Sequence, residues 1–586
     1  MKRKGKIQIK LLGLTDSITR YPLTSVFLLA LTLTIISAIE DTQGDYSKLI
    51  ATFLVGTFLS ISVQAIFERF LRKASYRMIL MGVAIVLSLG YYIIISPLSK
   101  LTLVVIIRTI VAVFALVIIF IWVPSIKSKI SFNESFMAVF KSFFIALFFS
   151  GVIFTGVSLI LAATDVLIIS LDEKLYMHAA NLIFAMFAPL YFLSMIPIYP
   201  GRSQEENEEE EFIKKATTSN KFLETLISYV IIPITAVFTV ILLLYIIMNI
   251  TGDFWTDNLM EPMLVSYSIT VIFVYLLAAK LDNAFAKYFR RIFPKVLVPV
   301  VLFQTISSVI KIGDLGITYG RYYVIMFGIF ATTAGILFCL IPVHKNGMIA
   351  PILIALAIIS ILPPVDAFTI SRSNQTSRLK NALTRNNMLE DNTIKPNASV
   401  SEKDREIIVA STNYLFNTNN TDGIEWLASY NVNRDFEGTF GFTEYGQVDY
   451  KYKSFYASRE LSPIPVDGYD YMVHSNINSG AIDNGSSTFE KNGMTYTLNE
   501  TIEGDNRSIV LWDENQKEII RIAVQDIFSR FEGRVSEKNS ITTEEATYTQ
   551  ENDLAVLSYV IENVNISEWV GGDNRYAEGY LLIRIK

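Results

Sequence analysis

Eleven apolar runs, each long enough to cross a bilayer as a helix, fill roughly the first 365 residues of the chain. A hydrocarbon core of about 30 Å needs about 20 helical residues, and a helix satisfies its own backbone polar groups where no water is present. The runs fall at 22–39, 49–67, 77–96, 101–124, 139–162, 176–199, 223–249, 262–280, 296–311, 321–342 and 347–364. The ninth is short, and 164–175 interrupts the pattern with Asp165 and Asp172-Glu173-Lys174 around a short apolar stretch. Beyond residue 366 the chain turns polar, rich in Asn, Thr and Tyr. The pattern predicts an α-helical polytopic membrane protein with about 11 transmembrane helices over 1–366, and a soluble α+β domain over 367–586.

The tail pattern is specific in places. Gln375–Leu389 spaces Leu379, Leu383 and Met388 as one narrow helical stripe, and Ser401 with Asp404 reads as the start of a second helix through Leu415. Then the period becomes two. Asn492-Gly493 between Phe489 and Tyr496 is a two-residue hairpin signal. Ser508–Trp512 and Glu518–Ala523 read as paired strands, before an amphipathic helix carrying Ile527, Phe528 and Phe531; Val556–Ile561 and Tyr580–Ile585 read as further strands. Tyr445, Tyr450, Tyr452 and Tyr456 suggest sheet packing before any sugar platform.

Charge orients the chain. Lys2, Arg3, Lys4, Lys6 and Lys10 precede the first run; Arg69, Arg72, Lys73 and Arg77 follow the second; Lys287, Arg290, Arg291 and Lys295 follow the eighth. The alternate loops carry Glu40, Asp41 and Asp45, or Asp253, Asp257 and Glu261. The positive-inside rule then places the N-terminus in the cytoplasm and, with an odd span count, the C-terminal domain on the outer side of the membrane. No small-residue cleavage site follows the first run, which reads as a retained anchor.

Composition narrows the chemistry. Hydrophobic residues make up 52% and charged residues 18%, and a pI near 5.6 gives no basic field for nucleic acid. The single cysteine, Cys339, precludes an intramolecular disulfide, and His178, His344 and His474 show no ligand spacing. No cofactor, metal or catalytic constellation is expected. The bilayer is the partner implied, with an anionic lipid or an envelope partner as candidates; oligomeric state is not fixed by the sequence.

Polar groups inside the apolar part are the candidate sites, because they are costly at membrane depth. Arg108 lies near one end of the fourth run and faces a site, snorkels to the headgroups or joins a structural ion pair. The loop between the ninth and tenth runs carries Lys311, Asp314, Thr318, Tyr319, Arg321 and Tyr322 among Gly313, Gly316 and Gly320. It fits an anion such as a lipid phosphate, and equally an ordered turn whose Arg and aromatic residues anchor a helix end. His178 with Asp165 or Asp172 is a weaker acid–base candidate, and Pro233 predicts a kink in the seventh run. The run Glu205–Glu211 reads as a solvated segment.

Three stretches carry a family resemblance: Tyr229-Val230-Ile231-Ile232-Pro233 with the run to Asn249; Lys311-Ile312, Gly316-Ile317-Thr318 and Arg321-Tyr322; and Ser371, Gln375, Arg378 and Leu379. Together, over about 220–400, they resemble the bacterial polytopic membrane family catalogued as domain of unknown function 4153. This chain carries Leu315 where the family pattern has Tyr, and Asn374 where Ser precedes the Gln. The resemblance implies architecture and carries no activity with it.

Three functions fit these features. The first is an envelope binding, sensing or scaffold protein acting through the extracytoplasmic domain. The alternative is a transporter or exporter of an anionic or lipid-linked substrate. A lipid-linked glycosyltransferase, using acidic residues such as Asp41 or Asp45, is the third.

Overall fold

A computed structural model describes residues 15–71, 73–199, 207–249, 260–444, 451–457, 464–478, 486–503, 506–532, 540–569 and 572–586. Lys2, Arg3, Lys4, Lys6, Lys10, Arg72, Glu205, Glu206, Asp253, Asp257, Tyr445 and Tyr450 lie outside the described residues, as do the side chains of Asp314 and Tyr452. The chain divides into two compact units, Met1–Asp435 and Phe436–Lys586.

Among the described residues of the first unit, 11 helices are long and apolar enough to cross a membrane. They are α1 (Pro22–Glu40), α2 (Ser47–Phe70), α3 (Ala74–Ile95), α4 (Leu103–Trp122), α5 (Phe132–Leu167) and α6 (Lys174–Ser194). Next come α7, whose last part is Ile232–Asn249, α8 (Met260–Leu277), α9 (Ala284–Ile310), α10 (Tyr319–Leu340) and α11 (Ile349–Ile361). The ninth helix is longer than its apolar run. Asn283 caps it by accepting from Ala286 N, and its basic first turns continue the same helix through Pro294 and Pro299. The stretch 164–175 connects α5 to α6, with Asp165 accepting from Leu171 N at 2.6 Å.

Two spans contain a wide π turn, Leu182–Phe187 in α6 and Leu226–Ile231 in α7. Each is followed two residues later by a proline, Pro189 or Pro233. A proline donates no hydrogen bond and its ring crowds the carbonyl four residues back, and a widened turn relieves both defects without breaking the helix. The wide turn therefore stands where the sequence predicts a kink.

The first unit extends past the spans. Asp366 caps α12 (Ala367–Arg385); a hairpin of β1 (Leu389–Glu390) and β2 (Thr393–Ile394) leads to α13 (Glu402–Asn417), capped by Ser401 accepting from Asp404 N. Leu379, Ala382 and Leu383 of α12 and Ile408 and Leu415 of α13 are fully buried. The compact division thus falls at 435/436, whereas the hydropathy change falls at 366/367.

The second unit is β-rich. β3 (Lys451–Ala457), β4 (Tyr471–Asn478), β9 (Ser540–Ile541), β10 (Thr547–Glu551), β11 (Ala555–Trp569) and β12 (Gly572–Ile585) form one sheet in the order β4-β12-β11-β3-β9, with β10 also on β11. β5 (Ser487–Lys491), β6 (Met494–Glu503), β7 (Asn506–Trp512) and β8 (Glu518–Ala523) form a second, antiparallel sheet. The expected hairpin is present: Lys491 pairs with Met494, and Asn492 and Gly493 have φ of 52° and 77°, the left-handed pair of a type I′ turn. Ile527, Phe528 and Phe531 of α14 (Val524–Glu532) join Leu511, Tyr559 and Leu581 in one core.

Candidate functional site

Of the sequence-predicted residues, Lys311, Thr318, Arg321 and Tyr322 lie at one polar junction. Between α9 and α10 the chain makes a short helix, Ile312–Leu315, then turns at Gly316 with φ 72° and ψ −177°, a conformation open essentially to glycine. Thr318 caps α10 by accepting from Arg321 N. Arg321 is buried, and its Nη1 donates to the Gly316 carbonyl at 2.8 Å. Lys311 is also buried. Tyr322 donates to the Val365 carbonyl at 2.7 Å. The contacts of Arg321, Thr318 and Tyr322 are those of an ordered turn.

α12 fastens onto that turn. Gln375 Nε2 donates to the carbonyls of Leu315 at 3.1 Å and Ile317 at 3.2 Å, while its Oε1 accepts from Ser411 of α13 at 2.8 Å. Asn374 Oδ1 accepts from Ile317 N at 2.8 Å, and Arg378 Nη1 donates to the Gly313 carbonyl at 3.0 Å. Tyr414 accepts from Tyr319 N at 3.0 Å and donates to Ser371 at 2.7 Å. A Cβ on Gly316 would lie 2.6 Å from both Gln375 Nε2 and Arg378 Cδ. Both departures from the family pattern preserve these bonds. Leu315 contributes its carbonyl, which any side chain allows, and Asn374 supplies an acceptor of its own.

Arg108 stands apart from the turn. Its guanidinium pairs with Asp366 at 2.6 Å and lies over the Phe368 ring at 5.9 Å, with its side chain 32% exposed and that of Asp366 fully buried. Asp366 accepts also from Phe368 N, Thr369 N and the Thr369 hydroxyl. Burial pushes the Asp366 carboxyl up, but the bonds from Arg108 and Thr369 outweigh it and hold the group below the usual carboxylate range. Asp366 was missed as a partner because 258 positions separate the pair. Its signature as a helix N-cap, an Asp three residues before Thr369, was in the sequence.

The other candidates have partners nearby. His178 bonds Glu40 at 2.7 Å, beside the Lys174–Glu40 ion pair, so its carboxylate partner is neither Asp165 nor Asp172. Asp41 accepts from Gln43 N, Gly44 N and Tyr46, and Asp45 from Ser47, so both close the turn between α1 and α2.

A second feature gave no sequence motif. Eight of the eleven spans, α1, α2, α4, α5, α6, α8, α10 and α11, line a cavity of 1030 Å³ that opens to the surface along Phe114, Phe143 and Phe144. Thirteen phenylalanines line it, Phe136, Phe140 and Phe273 in edge-to-face contact among them. Thr57 is the one polar lining residue, and its hydroxyl is bonded to Phe53 O of its own helix. Phe184 and Ala185, on the wide turn of α6, form part of the wall. Along Phe120 and Val139 the cavity abuts a small polar pocket of 20 Å³, room for about one water, beside the Arg20–Glu68 pair. The cavity's lining is apolar throughout but for Thr57 and includes no charged residue.

The family model described as domain of unknown function (DUF4153) matches residues 23–397. That span takes in the 11 membrane-type helices, α12 and the turn that α12 docks on, but not α13. No curated protein and no solved structure matches the chain. With well over half its length matched, this multi-pass membrane protein belongs to the DUF4153 family.

Proposed function

We propose that this protein binds the hydrocarbon part of a lipid or lipid-linked molecule within its helical unit. The cavity carries the reading. At roughly 24 cal/mol per Å³ of void, leaving 1030 Å³ empty would cost roughly 25 kcal/mol. That exceeds the net stability of a domain, and the cavity opens to the surface along Phe114, Phe143 and Phe144, which gives an acyl chain a way in. The volume is at the upper end of ligand pockets, roughly 300–1,000 Å³. A polar substrate finds no hydrogen-bonding partner there, which favours an apolar chain held in the bundle over a charged molecule passing through it.

The test uses the purified full-length protein, washed in detergent and extracted for bound lipid. Ala188→Trp, on the cavity wall, is expected to cut retained lipid at least tenfold while the protein elutes as the wild type does. Equal retention by both proteins would sink the reading.

A second reading, a binding or scaffold protein of the bacterial envelope, draws on the polar junction. It ties α12 and α13 to the turn before α10, so the chain that leads into residues 436–586 departs from a fixed point. This reading places the N-terminus in the cytoplasm and the β unit outside the cytoplasmic membrane, and it depends on that orientation.

A further inference from the structure

Three strands of the larger β-sheet bring one histidine and two carboxylates together. His474 on β4 is the cross-strand partner of Tyr580 on β12, and Glu578 precedes that tyrosine by two residues, on the same face. Ladder pairing passes from Ile561–Gly579 to Asn563–Glu578, so Glu562 is the extra residue of a bulge on β11. Ile561 and Val564 both enter the core, which leaves Glu562 exposed and directed away from it. Gly579 permits the bulge: a Cβ there would meet the Val560 carbonyl at 2.2 Å. The ligand-type atoms of His474, Glu562 and Glu578 all lie within 4.8 Å of one another.

The arrangement brings two carboxylates and an imidazole to one face of the sheet. The Glu562 and Glu578 carboxylates lie within 4.8 Å of each other, and like charges that close repel. His474 Nε2 and Glu578 Oε1 are 3.5 Å apart, close to the roughly 3.4 Å edge of a tetrahedron with bonds of about 2.1 Å, as zinc makes to nitrogen and oxygen. Tyr576 donates to the other oxygen of Glu578 at 3.0 Å, and the His474 ring stands edge-on to Tyr580 at 5.3 Å. Such outer contacts orient metal ligands. One imidazole and two carboxylates suit zinc, or a neighbouring first-row divalent ion.

We propose that His474, Glu562 and Glu578 form a binding site for a divalent transition-metal cation of the zinc class, with coordination positions left for water or a further ligand. The site is independent of the cavity in the helical unit.

The test is calorimetric titration of the chelator-treated full-length protein with Zn²⁺. One site per chain is expected in the wild type. His474→Ala and Glu562→Gln, both exposed positions, should each weaken binding at least tenfold; Glu514→Gln, an exposed carboxylate on the β7–β8 turn, should leave it unchanged. Circular dichroism of each variant, matching the wild type, secures the comparison. No saturable binding by the wild type, or equal binding by all three variants, would overturn the site.

Discussion

At the scale of single residues, the Arg108–Asp366 pair joins distant elements of the helical unit near a span end. Asp366→Asn keeps an oxygen to cap α12 but removes the charge that faces Arg108. Breaking a fully buried pair costs roughly 3–5 kcal/mol; with the Arg108 side chain partly exposed, a loss of about 2 kcal/mol is expected. The sign with pH follows from the depressed carboxyl. Its contribution is complete above the ordinary value of about 3.9 and is lost as pH falls through the lowered one. Thermal unfolding in detergent should therefore separate wild type from variant at pH 7, with the gap closing towards pH 3. A gap of the same size at both values would remove the pair as a source of stability. Arg108 was legible as a costly residue, because charge at membrane depth demands an account. Its partner was not, since pairing between α4 and the start of α12 is a tertiary fact. Lys311, Thr318, Arg321 and Tyr322 were legible as a cluster for a different reason: they share one glycine-punctuated turn.

Elements were legible wherever local periodicity determines them. The eleven apolar runs became eleven helices within a few residues, and Asn492-Gly493 became the turn it spells. The ninth helix was underestimated because basic residues mask its first turns, although they prolong the same helix. The wide turns of α6 and α7 were not foreseen, although Pro189 and Pro233 are their local cause. The place of α12 was also unforeseen: its polar surface suggests a free soluble helix, yet those polar groups bond the turn before α10. Gly316 makes that docking possible. Gly316→Ala combines an unfavourable backbone conformation, costing roughly 1–3 kcal/mol, with a clash against Gln375 and Arg378. It is expected to loosen α12 and expose the following segment, so that limited trypsin cleavage at Arg385 or Lys395 becomes faster than in the wild type. An unchanged cleavage rate would mean that the turn does not hold the helix.

At the scale of the whole molecule, two units of different character share one chain, and charge asymmetry alone argues for the side of the membrane on which each lies. Replacing Cys339 with Ser and Asn515, at an exposed turn of the β unit, with Cys gives a single reporter. Labelling of intact cells by a membrane-impermeant maleimide is expected; labelling only after lysis would reverse the orientation and end the envelope reading. The hydrogen bonds described between the turn at 313–319 and the α12–α13 pair have a further consequence. Each ends on a carbonyl, an amide or a hydroxyl, never on a carboxylate. Dissolved ions screen charge against charge, and protons disarm carboxylates; neither reaches a bond whose acceptor is neutral. The bonds from α12 to the turn before α10 therefore depend on no carboxylate, whereas the Arg108–Asp366 pair at the start of the same helix does, so acid should release the ion pair while the turn still holds.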